Sequence, residues 1–272
     1  MIIVLPLLLL LVADPTPVAP ATPLETGFRQ MYDLQFGPAH QSFAAWGQQH
    51  PEDPMGPVAD AAAYLFSEFA RLHILESELF LHDDAFANRK KPDPDLAVKQ
   101  QFDQALGRAQ QLADARLARD PADSNAQLAT LMRLGLHSDY LALVEKKYLA
   151  SLAEVKTGRA IAEKLIAAHP DFGDAYLAVG VENYLLSLKP APLRWLLRAG
   201  GAETDRERGI ANLSITAEHG HLLLPYARVL LAMAALRDKN VERARELLEG
   251  LAREFPDNPL YRQELARLQV PR

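Results

Sequence analysis

The sequence predicts an all-α protein made of antiparallel helix hairpins, and three observations carry that prediction. From Leu24 onward apolar residues recur at three- and four-residue spacing, the period of a helix with one buried stripe. Strictly alternating runs of Val, Ile, Thr and aromatics, which would mark half-buried strands, are scarce. A helix stop also recurs, as HPED at 50–53, DPAD at 120–123, HPDF at 169–172 and FPDN at 255–258. Proline disfavours helical backbone in the residue before it and is comfortable at the first position of the next helix. The Asp or Asn beside it can cap that helix by accepting free amide hydrogens.

Taken in chain order, the first element is the apolar run Ile2–Ala13, too short to span a bilayer and close to the length of a signal-peptide hydrophobic region. Ala19-Pro20-Ala21 supplies a small-x-small cleavage pattern that puts the mature start near Thr22. No Lys or Arg precedes the run, so the basic n-region is missing. Pro6 and the four prolines from Pro15 to Pro23 argue against a buried helix there. Residues 1–21 therefore read as a signal peptide and 22–272 as one helical domain. Export, with a periplasmic location, is the resulting expectation.

Helices are expected at 25–35, 38–49, 56–82, 96–119, 123–147, 152–168, 173–187, 191–199, 204–219, 223–237, 240–254 and 257–268, with short connections that favour antiparallel neighbours. Residues 56–119 read as one hairpin with overlong helices joined by the polar DDAFANRKKPDPD connector. Gly220 takes the place of proline as the stop after 204–219, an expectation resting on the left-handed conformation glycine readily adopts at helix ends.

Composition bounds the function. A chain of 272 residues, 49% hydrophobic and 24% charged, is rich enough in apolar side chains to bury a core. Its formal charge of −6 and pI near 5.8 argue against nucleic acid as a partner, because such binding needs concentrated positive charge. Without cysteine there are no disulfides, thiolate metal sites or lipid-modified cysteine.

The segment LLAMAALRDKNVERARELLEGLAREFPDNP places small Ala232 and Ala235 on one helix, opens the next with Val241 and Ala244, fills its core face with Leu248 and Leu251, and ends at Pro256. Segment 33–54 aligns with 238–259 without a gap, giving Phe36, Ala39, Phe43, Trp46 and Pro51 the roles of Val241, Ala244, Leu248, Leu251 and Pro256. In these features the chain resembles the tetratricopeptide repeat (TPR) family, built of ~34-residue helix-turn-helix units. The resemblance implies an irregular TPR-like α-solenoid, since the spacing from Pro51 to Pro121 to Pro170 to Pro256 is uneven. Segment 164–261 is similar to divergent exported bacterial repeat proteins.

Motifs for chemistry are few. His219-Gly220-His221 flanks a turn without helical ligand spacing and reads as structural rather than metal-binding. HILESELFLHDD at 73–84 reads as a charged helix face rather than a carboxylate pair. No P-loop, G-x-S-x-G or H-E-x-x-H is present. The sequence thus predicts no catalytic residue, metal site or cofactor.

What remains is the insertion KPAPLRWLLRAGGAETD at 189–205, because repeats carry binding residues where their pattern breaks. Arg194 and Arg198 sit four apart on its helix, able to grip a carboxylate or phosphate, while Leu193, Leu196 and Leu197 cover another side. Trp195 adds an aromatic anchor. Asn183 and Tyr184 lie on the preceding helix, which in the resembled family lines the concave groove; Asn183 there bonds a ligand or its own neighbours. These five are the candidate partner-binding residues. The expected function is that of a non-catalytic exported protein binding a protein or peptide through its concave surface. The alternative is a periplasmic solute-binding or transport accessory protein enclosing a small ligand. Nucleic acid is not an expected partner. Association with the cell envelope is compatible with the reading, and no membrane span is expected in the mature chain.

Overall fold

A computed structural model describes residues 20–76, 90–189 and 191–269, and the signal-peptide segment falls almost entirely outside them. Among the described residues there are twelve α-helices and no strand. The first five are α1 (Pro23–Tyr32), α2 (Phe36–Gln49), α3 (Met55–Arg71), α4 (Leu96–Arg119) and α5 (Ser124–Asp139), the last continued by a π-turn at Tyr140–Val144. Then come α6 (Tyr148–Ala168), α7 (Tyr176–Ser187) after a 3₁₀ turn at Gly173–Ala175, α8 (Ala191–Ala199), α9 (Arg206–His219), α10 (Leu224–Arg237), α11 (Val241–Glu254) and α12 (Pro259–Arg267).

The four proline stops share one geometry. His50, Asp120, His169 and Phe255 all have φ between −140° and −123° and ψ between 68° and 98°, away from the helical region that a following proline disfavours. Each of the four accepts, on its carbonyl, the amide hydrogen three residues on, from Asp53, Asp123, Phe172 and Asn258. Three of these donors then cap the next helix: Asp53 on Met55 N, Asp123 on Ala126 N and Asn258 on Leu260 N. Phe172 has no such oxygen, and there the chain enters through the 3₁₀ turn instead. The prolines themselves occupy the turns and not the first helical positions, correcting that expectation.

A second kind of closure alternates with the first. Leu34, His73, Lys146 and Lys239 each adopt φ between 56° and 61°, and the next residue's amide bonds five or six residues back, as in Ile74 N to Phe69 O and Asn240 N to Ala235 O. One such closure ends α3 at Arg71 instead of carrying it to 82; residues 77–89 lie outside the described set. Gly220 differs from expectation as well. Its φ of −69° and ψ of 156° are extended, and glycine is required because a Cβ would stand 2.5 Å from Thr216 O and 2.8 Å from Asp174 Oδ1.

From α1 to α7 each helix packs on the next; α7 then packs on α9, passing over α8, and the succession continues to α12. Alternate helices also touch, α1 with α3 and α3 with α5. The α7–α9 approach is close because both helices carry glycine at the crossing: a Cβ on Gly209 would stand 2.6 Å from Tyr184 N. In the best-matched unit Ala232, Ala235, Ala244, Leu248 and Leu251 are buried as expected. Val241 is not. It is 39% exposed, because as the first residue of α11 its side chain falls beyond the packed turns. In the aligned unit Ala39 and Phe43 are buried, Phe36 and Trp46 half-buried, and Trp46 Nε1 donates to Asp53 at 2.9 Å.

The two ends of the chain meet. Asp33 Oδ1 accepts from the amides of Asp257 (2.9 Å) and Asn258 (3.0 Å), and Asn258 Nδ2 returns a bond to Tyr32 O at 2.8 Å. Tyr32 Oη donates to Leu222 O, its ring lies 5.6 Å from that of Phe255, and Glu25 pairs with His221 at 2.6 Å. Farther in, Phe66 of α3 meets Tyr226 of α10 edge to face at 5.8 Å. The inner helices accordingly keep almost no exposed residue: only Arg71 in α3, only Gly135 in α5, only Leu185 in α7 and none in α10. By contrast α4, α6 and α11 each present rows of exposed residues.

Candidate functional site

Helix α8 differs from every other helix in its surroundings: among the described residues no other helix packs extensively along it. Trp195 is 72% exposed on it, a large apolar area left in water. Arg194 donates to Lys189 O at 2.8 Å and Arg198 to Thr204 O at 3.2 Å, so each guanidinium braces one flank of the insertion while keeping further donors. Leu197 is half-buried; the side chains of Leu193 and Leu196 lie outside the described set.

The insertion is moored by a buried polar network on α7. Asn183 is fully buried with both amide hydrogens and its oxygen engaged: Nδ2 donates to Val179 O (3.1 Å) and Glu203 Oε2 (3.0 Å), and Oδ1 accepts from Asp205 N (3.0 Å). Of the two expectations for Asn183, the structure shows the bonds to its neighbours. Glu182, also buried, accepts from Glu203 N at 3.3 Å and from Arg159 of α6 at 3.4 Å. Burial pushes its carboxyl above the ordinary range, against the pull of the Glu203 amide and Arg159. Arg159 also donates to Gly201 O, and Lys156 to Gly200 O, so α6 holds the tail of the insertion too. Tyr184 is buried beneath the Arg206 guanidinium, 5.9 Å from its ring, and does not line an open groove.

The structure therefore separates the five sequence candidates. Asn183 and Tyr184 belong to the mooring, and Arg194, Trp195 and Arg198 to the projecting helix. Sequence reading missed Glu182 and Arg159; the available signal was a Glu-Asn pair inside the apolar run YLAVGVENYLL. No family model matches this chain, and no characterised protein or solved structure does either. Among the described residues no helix is long and apolar enough to cross a membrane. No group of three or more His, Cys, Asp or Glu is placed to hold a metal there. His221 is engaged with Glu25, and His73 pairs with Glu76 at 2.8 Å; the rest of the 73–84 stretch falls outside the described residues.

Proposed function

We propose that this is a non-catalytic, exported helical-repeat protein, an irregular TPR-like array, that binds a protein or peptide partner through α8. The observation that carries this reading is a projecting helix with Trp195 in water on a base fixed by buried hydrogen bonds. Tryptophan and arginine supply most of the energy at binding hot spots, and a fixed mount lowers the entropy lost on association. The contact between the chain ends and the scarcity of exposed residues on the inner helices leave little room for a peptide in a concave groove, which moves the proposed contact outward. The TPR-like reading draws support from the alternating closures and the buried alanines at helix crossings. Export draws support from the apolar run at 2–13.

Photo-crosslinking tests the partner. A crosslinking amino acid at position 195, expressed in the native envelope, is expected to give a discrete protein adduct, while one at exposed Glu242 gives none. Equal labelling from both positions would sink the assignment. Fractionation is expected to find a processed chain starting near Thr22 outside the cytoplasm, and a full-length cytosolic protein would overturn export.

A further inference from the structure

Helix α8 and its mount carry positive charge that, among the described residues, no carboxylate neutralises. Residues 188–202 hold Lys189, Arg194 and Arg198 and no Asp or Glu, in a chain whose net charge is −6. On the helix surface Arg198 is a neighbour of Arg194, four residues back, and of Trp195, three back, so one side of α8 presents the indole and both guanidiniums together. A further cation stands at its C-terminal end, where Lys156 of α6 donates to Gly200 O at 2.5 Å. Among the described residues Lys156, Arg194 and Arg198 bond only to main-chain carbonyls, and none of them forms an ion pair. Elsewhere on the array arginines find carboxylates, as Arg71 does on Glu68, Arg116 on Asp123 and Arg228 on Glu254. The acidic residues that follow α8 are engaged with other groups: Glu203 accepts from Asn183 and Arg208, and Asp205 from the amide of Arg208.

We infer that the partner segment meeting α8 is acidic: a stretch of Asp and Glu around an apolar side chain, the apolar group covering Trp195 and the carboxylates pairing with Arg194, Arg198 and Lys156. The inference rests on the reading of α8 as a partner site and names the chemistry of what it meets. Arg194 spends only Nη1 on Lys189 O, and Arg198 only Nη2 on Thr204 O, so each guanidinium keeps hydrogens for a carboxylate. Those same bonds hold the two side chains in place, and less rotamer freedom remains to be lost on association. The three cations are tied to three different carbonyls, of Lys189, Thr204 and Gly200, so no single point gathers their charge. Such a distribution suits several carboxylates better than one phosphate. An anionic membrane is disfavoured for another reason. A lipid surface presents its charge to the whole protein, whose net charge of −6 opposes the approach, whereas a peptide segment meets α8 locally.

A random-peptide display library selected on the full chain tests the inference. Enriched sequences are expected to carry Asp and Glu about threefold above the input, beside an aromatic or aliphatic residue. The tightest of them, made as a free peptide, should bind about tenfold tighter than its Asn and Gln counterpart and lose about tenfold in affinity from about 0.05 to about 0.5 M salt. Arg194→Glu combined with Arg198→Glu should turn the selection toward Lys and Arg, an outcome that misfolding of the insertion does not produce. Arg253→Gln, at an exposed position of α11, should bind as the parent does. The inference fails if no peptide is enriched, if the enriched peptides are not acidic, if the neutral counterpart binds equally, or if the double variant keeps the parent's preference. Arg253→Gln weakening binding as much as the loss of Arg194 and Arg198 would overturn it too. So would vesicles of anionic lipid, or a phosphopeptide with neutral flanks, that bind more tightly than the acidic peptide. Crosslinking at position 195 decides the partner reading separately: a discrete protein adduct whose contact segment lacks Asp and Glu would leave that reading standing and remove this inference.

Discussion

Replacing Asp139 with asparagine should make the protein more stable, by an amount that grows from about pH 4 to pH 7 and then stays constant. In the folded chain burial raises the Asp139 carboxyl from 3.8 to about 7. Between those values the folded state keeps a proton that the unfolded chain has released, so this group's unfavourable contribution grows as pH rises and levels off above pH 7. At about 1.4 kcal/mol for each pH unit between the two values, the ceiling is about 4 kcal/mol. Asp139 retains some surface, which lowers the expected figure to about 2–3 kcal/mol. Asparagine resembles the protonated acid and carries no such penalty. Urea midpoints for the parent and Asp139→Asn should coincide near pH 4 and diverge to about 2–3 kcal/mol by pH 8, which corresponds to roughly 5–10 °C in melting temperature for a chain of this size. A gap of constant size from pH 4 to 8 would mean that shape, not charge, separates the two. An asparagine variant less stable throughout would mean that the carboxylate has partners in solution and would refute the reasoning.

Three further substitutions probe the frame. Ala244 is fully buried at the α10–α11 crossing, so Ala244→Leu should cost about 1–3 kcal/mol by overpacking, whereas Arg245→Leu next to it should cost much less; thermal melts compare them directly, and the reverse order would refute the register. Gly209→Ala puts a methyl 2.6 Å from Tyr184 N, main chain that cannot swing aside, and should lower stability by at least ~1–3 kcal/mol in urea unfolding; a neutral result would refute the close α7–α9 contact. Asp33→Ala strands the Asp257 and Asn258 amides at the junction of the chain ends, with an expected loss of about 1.5–3 kcal/mol and faster proteolysis of α1 and α2. Unchanged proteolysis would show that the ends do not depend on this contact.

Half of the punctuation was legible. The turns that carry a proline announce themselves, since proline restricts its predecessor whatever the tertiary setting, and His50, Asp120, His169 and Phe255 obey. The alternate closures did not, because Leu34, His73, Lys146 and Lys239 hold a left-handed backbone normally associated with glycine or asparagine. At His73 a physical reason is visible: Ile74 just after the turn is buried, and its packing outweighs the local preference that a sequence pattern reports. The meeting of the ends was invisible for a related cause. Asp33 and its two amide partners lie more than 200 residues apart, and no periodicity spans that distance.

At the candidate site the sequence singled out the insertion, and the structure puts Asn183 and Tyr184 in its buried mooring instead of an open groove. A polar side chain within an apolar helix signals an unusual environment but does not say whether that environment is a groove or a core. For Asn183 the partners that decide are Glu203 and Asp205, which reach it only because the insertion folds back. Glu182 carries the argument further. Burying a carboxylate with one oxygen unpartnered is unfavourable, as the rise in its pKa shows, and an apolar residue there would pack at less cost. Departures from local rules of this kind concentrate where a fold serves something besides its own stability. What this one holds in place is the insertion that carries α8, with Trp195 facing water and, among the described residues, no other helix packed extensively along it. A buried polar mooring beneath this helix is hard to explain by stability alone, and it follows directly if α8 must meet another molecule in a fixed orientation.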